Sequence, residues 1–246
     1  MNKLTADESC AVLTQAIKDQ RPFSFWRFGD GYIECVQKRQ GRTCDQEEYT
    51  PHLHMDLAKR VGDVVWRIEY EGDPVTYIGD WRSASFTGPH DPSRYEHDYE
   101  RLIAHEIDRK LNEHRWLHFE SLLFMRESRA LADFYRAVRA DRRSKLYLGP
   151  VANEAAAGWL GAEFMPVPMH DLHRHVASFR EMLIASDFEV LLWGAGLAGV
   201  IPVVDCWNAR YERTYIHLGS ALDPLFGRPK SRKQQLSKEQ CWRMFA

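Results

Sequence analysis

Apolar residues recur in two rhythms along this chain, and their alternation predicts its architecture. Ala11, Val12, Leu13, Ala16 and Ile17 fall at helical spacing behind Thr5 and Glu8, a possible capping box, so residues 5–19 read as a helix. Arg21-Pro22 stops it, and Phe23 to Phe28 alternates as a strand that runs into Gly29-Asp30-Gly31. Tyr32 to Lys38 then opens a helix, residues 41–51 form a polar loop, and Pro51 to Val61 returns to helical spacing. Pro74 to Gly79 reads as a strand ending at Asp80-Trp81-Arg82, residues 88–92 as a loop, and Tyr95 to Asn112 as a long helix. Trp116 to Phe119 is a short strand, and Ser121 to Ala140 an amphipathic helix.

The second half is more regular. Lys145 to Pro150, Glu163 to Val167, Phe188 to Trp193 and Thr214 to Gly219 read as strands. Asn153 to Trp159, Leu172 to Ala185 and Leu197 to Asn208 read as the helices between them. Strands that alternate with helices predict an α/β fold with a mostly parallel sheet and helices on both faces. Ligands of such sheets sit beyond the carboxyl ends of the strands. That rule gathers four strand-end turns at one edge: Gly29-Asp30-Gly31, Gly149-Pro150, Gly194-Ala195-Gly196 and Gly219-Ser220.

Composition narrows the class. A chain of 246 residues that is 44% hydrophobic can bury a substantial core, and it falls within the size at which single cores stop growing, about 250–300 residues. Residues 1–227 read as one domain and residues 228–246 as a basic C-terminal tail. No apolar run reaches the roughly 18 residues of a membrane span. The opening MNKLTADESC lacks the apolar stretch of a signal peptide, which points to a cytoplasmic protein. With 33 Lys+Arg against 35 Asp+Glu the chain is not a bulk nucleic-acid binder. Its five cysteines form no CxxC and read as reduced thiols. The cluster His170, His173 and His175 reads as a solvated helix start rather than a ligand set.

Three segments carry candidate chemistry. In Arg27-Phe28-Gly29-Asp30-Gly31, two glycines flank an acid at a strand end, so the backbone can approach a ligand closely. Arg27 could meet a phosphate or Asp30 itself. Gly194-Ala195-Gly196-Leu197-Ala198-Gly199 matches GxGxxG, but no acid stands at the tip of the next strand as a dinucleotide site requires. A phosphate-facing turn fits it better. Gly219-Ser220, Asp223 and Arg228 together suggest a diphosphate and metal environment.

Taken together, these segments resemble the GT-D type glycosyltransferases, Rossmann-like sugar-nucleotide enzymes with versions common in phage and prophage genomes. The resemblance spans roughly residues 10–232. It rests on Phe25 to Gly31 for the RxGDGE signature, on Thr43-Cys44-Asp45 with Tyr49-Thr50-Pro51, on Leu148-Gly149-Pro150, and on Leu218-Gly219-Ser220 with Asp223 and Gly227. It implies transfer of a sugar from a nucleotide-sugar donor to an acceptor glycan or DNA base, aided by Mn or Mg. Asp30 matches the first acid of the family's Asp-x-Glu motif; Tyr32 holds the second position, and Glu34 is the nearest glutamate.

On this reading Asp30 and Glu34 hold metal and donor, while Arg27 and Arg228 are candidate diphosphate clamps. Gly29, Gly31, Asp45, Gly149, Gly194, Gly196, Gly219 and Ser220 line the donor, and Glu120 and Asp223 are candidate acceptor bases. Two alternatives stand beside it: a catalytically inactive nucleotide-sugar-binding protein, and a Rossmann-type dinucleotide oxidoreductase. The tail, with six basic residues from Arg228 to Arg243 against Glu239, is either solvated or a contact for a polyanionic acceptor.

Overall fold

The structure is a computed structural model that describes residues 4–36, 50–67, 75–85, 96–99, 101, 116–168, 170–228 and 235–246. Its first elements are α1 (Ala6–Lys18), β1 (Phe23–Arg27), α2 (Asp30–Val36), α3 (Pro51–Arg67), β2 (Val75–Asp80), α4 (Glu96–Tyr99) and β3 (Trp116–His118). They are followed by α5 (Arg129–Ala140), β4 (Lys145–Pro150), α6 (Glu154–Leu160), β5 (Glu163–Val167) and α7 (Val176–Ala185). The chain closes with β6 (Val190–Trp193), α8 (Val200–Ala209), β7 (Thr214–His217) and α9 (Lys238–Arg243). The polar loop expected at 41–51, the loop at 88–92 and most of the helix expected at 95–112 lie outside the described residues.

The seven strands form one sheet in the order β3-β2-β1-β7-β6-β4-β5, and every pairing is parallel. The architecture is therefore α/β, with helices packed on both faces. Inner strands are buried on both sides: every residue of β1, β6 and β7 is buried, which is why they read as largely apolar runs. Pro166 is tolerated because β5 is an edge strand.

Alternation along β1 assigns the faces. Trp26 turns to one side and meets Trp207 of α8 at 5.4 Å between ring centroids. On that side α8 packs on α3 and α7. Arg27 turns to the other side, where α1 packs on α5 and α5 on α6. The α3–α8 contact is tied by Arg60, whose Nε and Nη2 bind Asp205 at 3.0 and 2.9 Å. An open groove of about 650 Å³ lies on that face, with Lys59, Arg180 and Asp205 among its lining residues.

The helix starts follow local chemistry. Thr5 and Glu8 form the capping box expected of α1, with Glu8 Oε2 accepting from Thr5 N at 2.7 Å. α3 runs six residues beyond its expected end, because Val64 and Val65 continue its buried stripe past Gly62. The helix expected from Ser121 begins only at Arg129, where Ser128 Oγ caps Leu131 N. Leu122, Leu123 and Phe124 are all buried in succession, a pattern no single helix face supplies. Their stretch of chain is held by outside donors instead. Cys10 Sγ binds Ser121 O, Tyr135 Oη binds Leu122 O, and Leu236 N binds Phe124 O. Likewise α8 begins at Val200 rather than Leu197, since residues 196–199 are taken up by turns.

The last described segment is folded onto the body. Ser237 and Gln240 form a second capping box, and Cys241 is fully buried. Trp242 and Phe245 meet Trp159 of α6 at 6.0 and 5.0 Å, and Phe245 meets Phe124 at 6.2 Å. Arg243 pairs with Glu127 at 3.1 Å. Truncation after Gly227 is therefore expected to uncover Phe124 and Trp159 and cost at least about 3 kcal/mol, a core-deletion effect. Urea unfolding of the truncated chain checks this; an unchanged midpoint would show that the segment adds nothing to the fold.

Candidate functional site

The carboxyl ends of the strands gather the candidate residues along one edge. The chain leaves β4 through a 3₁₀ turn (Val151–Asn153) into α6, on the Arg27 face. It leaves the neighbouring β6 into α8, on the opposite face. Adjacent strands whose exits diverge in this way make a topological switch point, where α/β sheets place their ligands. The turn after β7 runs over this junction: Leu218 N and Gly219 N both donate to Trp193 O, at 2.8 and 3.2 Å.

Arg27 anchors the β1 end. It is 4% exposed, its Nη1 donates to Leu218 O at 3.0 Å, and its guanidinium lies over the Phe119 ring at 4.4 Å. Gly79 leaves room for it, since a Cβ there would stand 3.1 Å from the Arg27 stem. Gly29 gives room in the same way to Trp81 and Phe119, whose atoms lie 3.1 and 3.3 Å from where its Cβ would be. Asp30 opens α2 and Glu34 lies one turn later. Gly31 differs from its neighbours, because a Cβ there meets nothing within 4 Å. Asp45 lies outside the described residues.

Tyr32 is buried and packs edge-on against Phe28 and His217, at 5.5 and 6.4 Å. His217, at the end of β7, stacks on Trp193 at 3.7 Å with 11° between the rings. At the β2 and β3 ends, Asp80 accepts from Arg82 Nε at 2.7 Å. Glu120 is 4% exposed and accepts from Ser85 N and Oγ at 2.5 and 2.9 Å.

The glycines of the switch point serve backbone packing. A Cβ on Gly194 would stand 2.5 Å from Gly219 O, and one on Gly199 would stand 2.6 Å from Ala195 Cβ. Gly196 and Gly219 hold φ of 68° and 57°, which side-chain-bearing residues avoid. Gly149 makes room for Tyr147 and Asn153. Beyond Ser220, Asp223 pairs with Arg228 at 3.0 Å. Arg228 also donates to Asn153, three strand positions from Arg27 in the sheet order.

The structure thus brings Arg27, Gly29, Asp30 and Gly31 together at β1, beside Gly219 and Ser220. It brings Gly149, Gly194, Asp223 and Arg228 together at the β4–β6 switch, and sets Glu120 at the β3 end. Tyr147, Asn153, Asp80 and His217 were not singled out as site residues by the sequence. Their signal lay in strand-end position, which needs the register to be known. Away from this edge, His173 Nε2 binds Asp56 at 2.9 Å. Among the described residues no group of three His, Cys, Asp or Glu side chains could hold a metal. Asp30 and Glu34 supply hard carboxylate oxygens of the type that Mn and Mg take. Burial pushes the Cys10 and Cys35 thiols up to about 12, so neither is a nucleophile near neutral pH.

Two solved structures share the fold. One, a selenomethionine-substituted structure of domain of unknown function 1792, has a TM-score of 0.55 and 13% identity, over 88% of this chain and 83% of its own. The other, described as showing that the highly conserved domain of unknown function 1792 has a distinct glycosyltransferase fold, has a TM-score of 0.54 and 13% identity. It covers 87% of this chain and 82% of its own. The chain therefore has a glycosyltransferase-like fold. No protein-family model matches it, and no curated protein matches it significantly in sequence. Among the described residues, no helix is long and apolar enough to cross a membrane.

The contacts separate the two kinds of glycine at this edge. Gly194→Ala is expected to destabilise by about 1–3 kcal/mol, since its Cβ would meet backbone that cannot rotate away. Gly31→Ala is expected to be neutral or stabilising by up to about 1 kcal/mol, because α2 has space for it. Thermal unfolding of both variants checks the contrast, and equal losses would refute it.

Proposed function

We propose that this protein is a glycosyltransferase that moves a sugar from a nucleotide-sugar donor to an acceptor, either a glycan or a DNA base. The observation that carries the reading is Arg27, a cation buried at the tip of β1 three residues before Asp30. The glycosyltransferase-like fold and the likeness of residues 25–31 to the GT-D signature support it. Glycosyl transfer releases a nucleoside diphosphate, so the enzyme must stabilise negative charge that grows on the leaving group. A guanidinium in a low-dielectric setting does so more strongly than one in water, where charge is screened.

Asp30 and Glu34 would hold Mn or Mg, which when bound adds cationic charge next to the diphosphate. The acceptor oxygen or nitrogen must lose a proton, and Asp223 and Glu120 are the candidate bases. Glu120 is sealed against Ser85, whereas the Asp223 side chain is 20% exposed, so Asp223 is the acid that an acceptor arriving from solvent reaches.

A second reading has its own observation. Tyr32 stands at the second acid position of the resembled motif, and its ring is packed between Phe28 and His217. That arrangement favours a protein that binds nucleotide-sugars without turning them over. A third reading, dinucleotide binding at 194–199, loses support because those glycines accommodate neighbouring backbone and side chains.

Mass spectrometry of the protein with a nucleotide-sugar panel and cell-derived glycans or DNA separates the first two readings. Transfer is expected, and Asp30→Asn should abolish it while changing stability by roughly 1 kcal/mol or less, since an acid between two glycines at a strand end contributes little packing. Glu34→Gln should have the smaller effect. Binding without loss of sugar would leave the binding reading standing, and full activity in Asp30→Asn would sink the metal and donor role of that residue.

A further inference from the structure

Arg228 is held on one edge and unsatisfied on the other. Its Nη1 lies 3.0 Å from Asp223 Oδ1 and also donates to Asn153 Oδ1. Asn153, 3% exposed, donates in turn from Nδ2 to the hydroxyl of Tyr147 at 2.8 Å. Tyr147 is fully buried, and burial pushes its phenol well above its ordinary value, so it stays a neutral hydroxyl. This chain fixes one nitrogen of the guanidinium. The other two nitrogens, Nε and Nη2, are shielded from solvent and meet no hydrogen-bond partner among the described residues.

Shielded donors without acceptors cost free energy, so such an edge calls for an explanation. The Nε–H and Nη2–H of a guanidinium run parallel and match the two oxygens of a carboxylate or phosphate. Gly149 and Gly194 let Asn153 and Tyr147 close up against the sheet edge: Cβ atoms there would stand 3.0 Å from Asn153 Nδ2 and 3.2 Å from Tyr147 Oη.

We propose that the Nε/Nη2 edge of Arg228 is a second oxyanion site, which takes a carboxylate or phosphate of a substrate in bidentate fashion. Arg228 follows β7 and its partner Asn153 follows β4, which puts the site at the β4–β6 switch, whereas Arg27 ends β1. Asp223 already offsets the charge of Arg228, so recognition rests on the fork geometry rather than on net charge. Asn153 and Tyr147 are positioning residues that hold the fork in place. The site rests on the reading of Arg228 as an anion clamp, and its test measures anion binding apart from sugar transfer.

The test is an arginine Nε–Hε NMR titration of the full chain, with pyrophosphate and separately with the dicarboxylate malonate. The Arg228 resonance, identified by its loss in Arg228→Lys, is expected to shift saturably with at least one of them. A response to pyrophosphate alone assigns a phosphate ligand, and a response to malonate alone a carboxylate. By calorimetry, Arg228→Lys should bind the active anion about tenfold or more weakly, because lysine keeps the charge and loses the fork. Tyr147→Phe should also weaken binding, and it provides the comparison if Arg228→Lys fails to fold. An Arg228 resonance unmoved by either anion, or wild-type affinity in folded Arg228→Lys, would overturn the proposal.

Discussion

A guanidinium held inside the protein at the tip of β1 is the constraint on which the carboxyl edge depends. Arg27 is too buried for water to stabilise its charge, so the surrounding chain must do so. It draws in the carbonyl of Leu218 and the face of Phe119, and it needs Gly79 to make room for its stem. Those contacts bind β1, β2, the turn after β3 and the turn after β7 into one unit. The β7 turn in turn lies over Gly194, which is why that position accepts no side chain. A single buried charge thus specifies the small residues around it.

The divergence of the β4 and β6 exits supplies the second organising element. One exit feeds the α1–α5–α6 face and the other the α3–α7–α8 face, the kind of junction at which α/β sheets place ligands. The chain after β7 carries Asp223 and Arg228 to that junction, and Trp242 and Phe245 at its end then pack on Trp159 and Phe124. The C-terminal segment is therefore part of the framework that holds the turn. Its basic residues do not all face a ligand, since Arg243 is committed to Glu127.

Much of this was legible in the sequence. The capping box at Thr5 and Glu8, the buried runs of β1, β4, β6 and β7, and the gathering of glycine turns at one edge are local signals, and the fold class follows from them. Signals that depend on tertiary partners were not legible. Residues 121–124 carry apolar spacing compatible with a helix, but the carbonyls at 121, 122 and 124 bind Cys10, Tyr135 and Leu236, all far beyond one helical turn. Gly194 and Gly199 read as a phosphate cradle by motif, whereas the space they leave is filled by Gly219 and Ala195. The Arg228–Asn153–Tyr147 chain joins residues far apart in sequence, and it emerges only once β4 is set beside β6.

The central claim is that substrate meets this protein at the carboxyl edge of the sheet, beside Arg27. Hydrogen–deuterium exchange with and without a nucleoside diphosphate-sugar tests it most directly. The account expects slowed exchange in residues 27–33 and 217–223, with the α3–α7–α8 face unchanged. Protection confined to the groove lined by Lys59, Arg180 and Asp205, with the carboxyl edge unaffected, would contradict it.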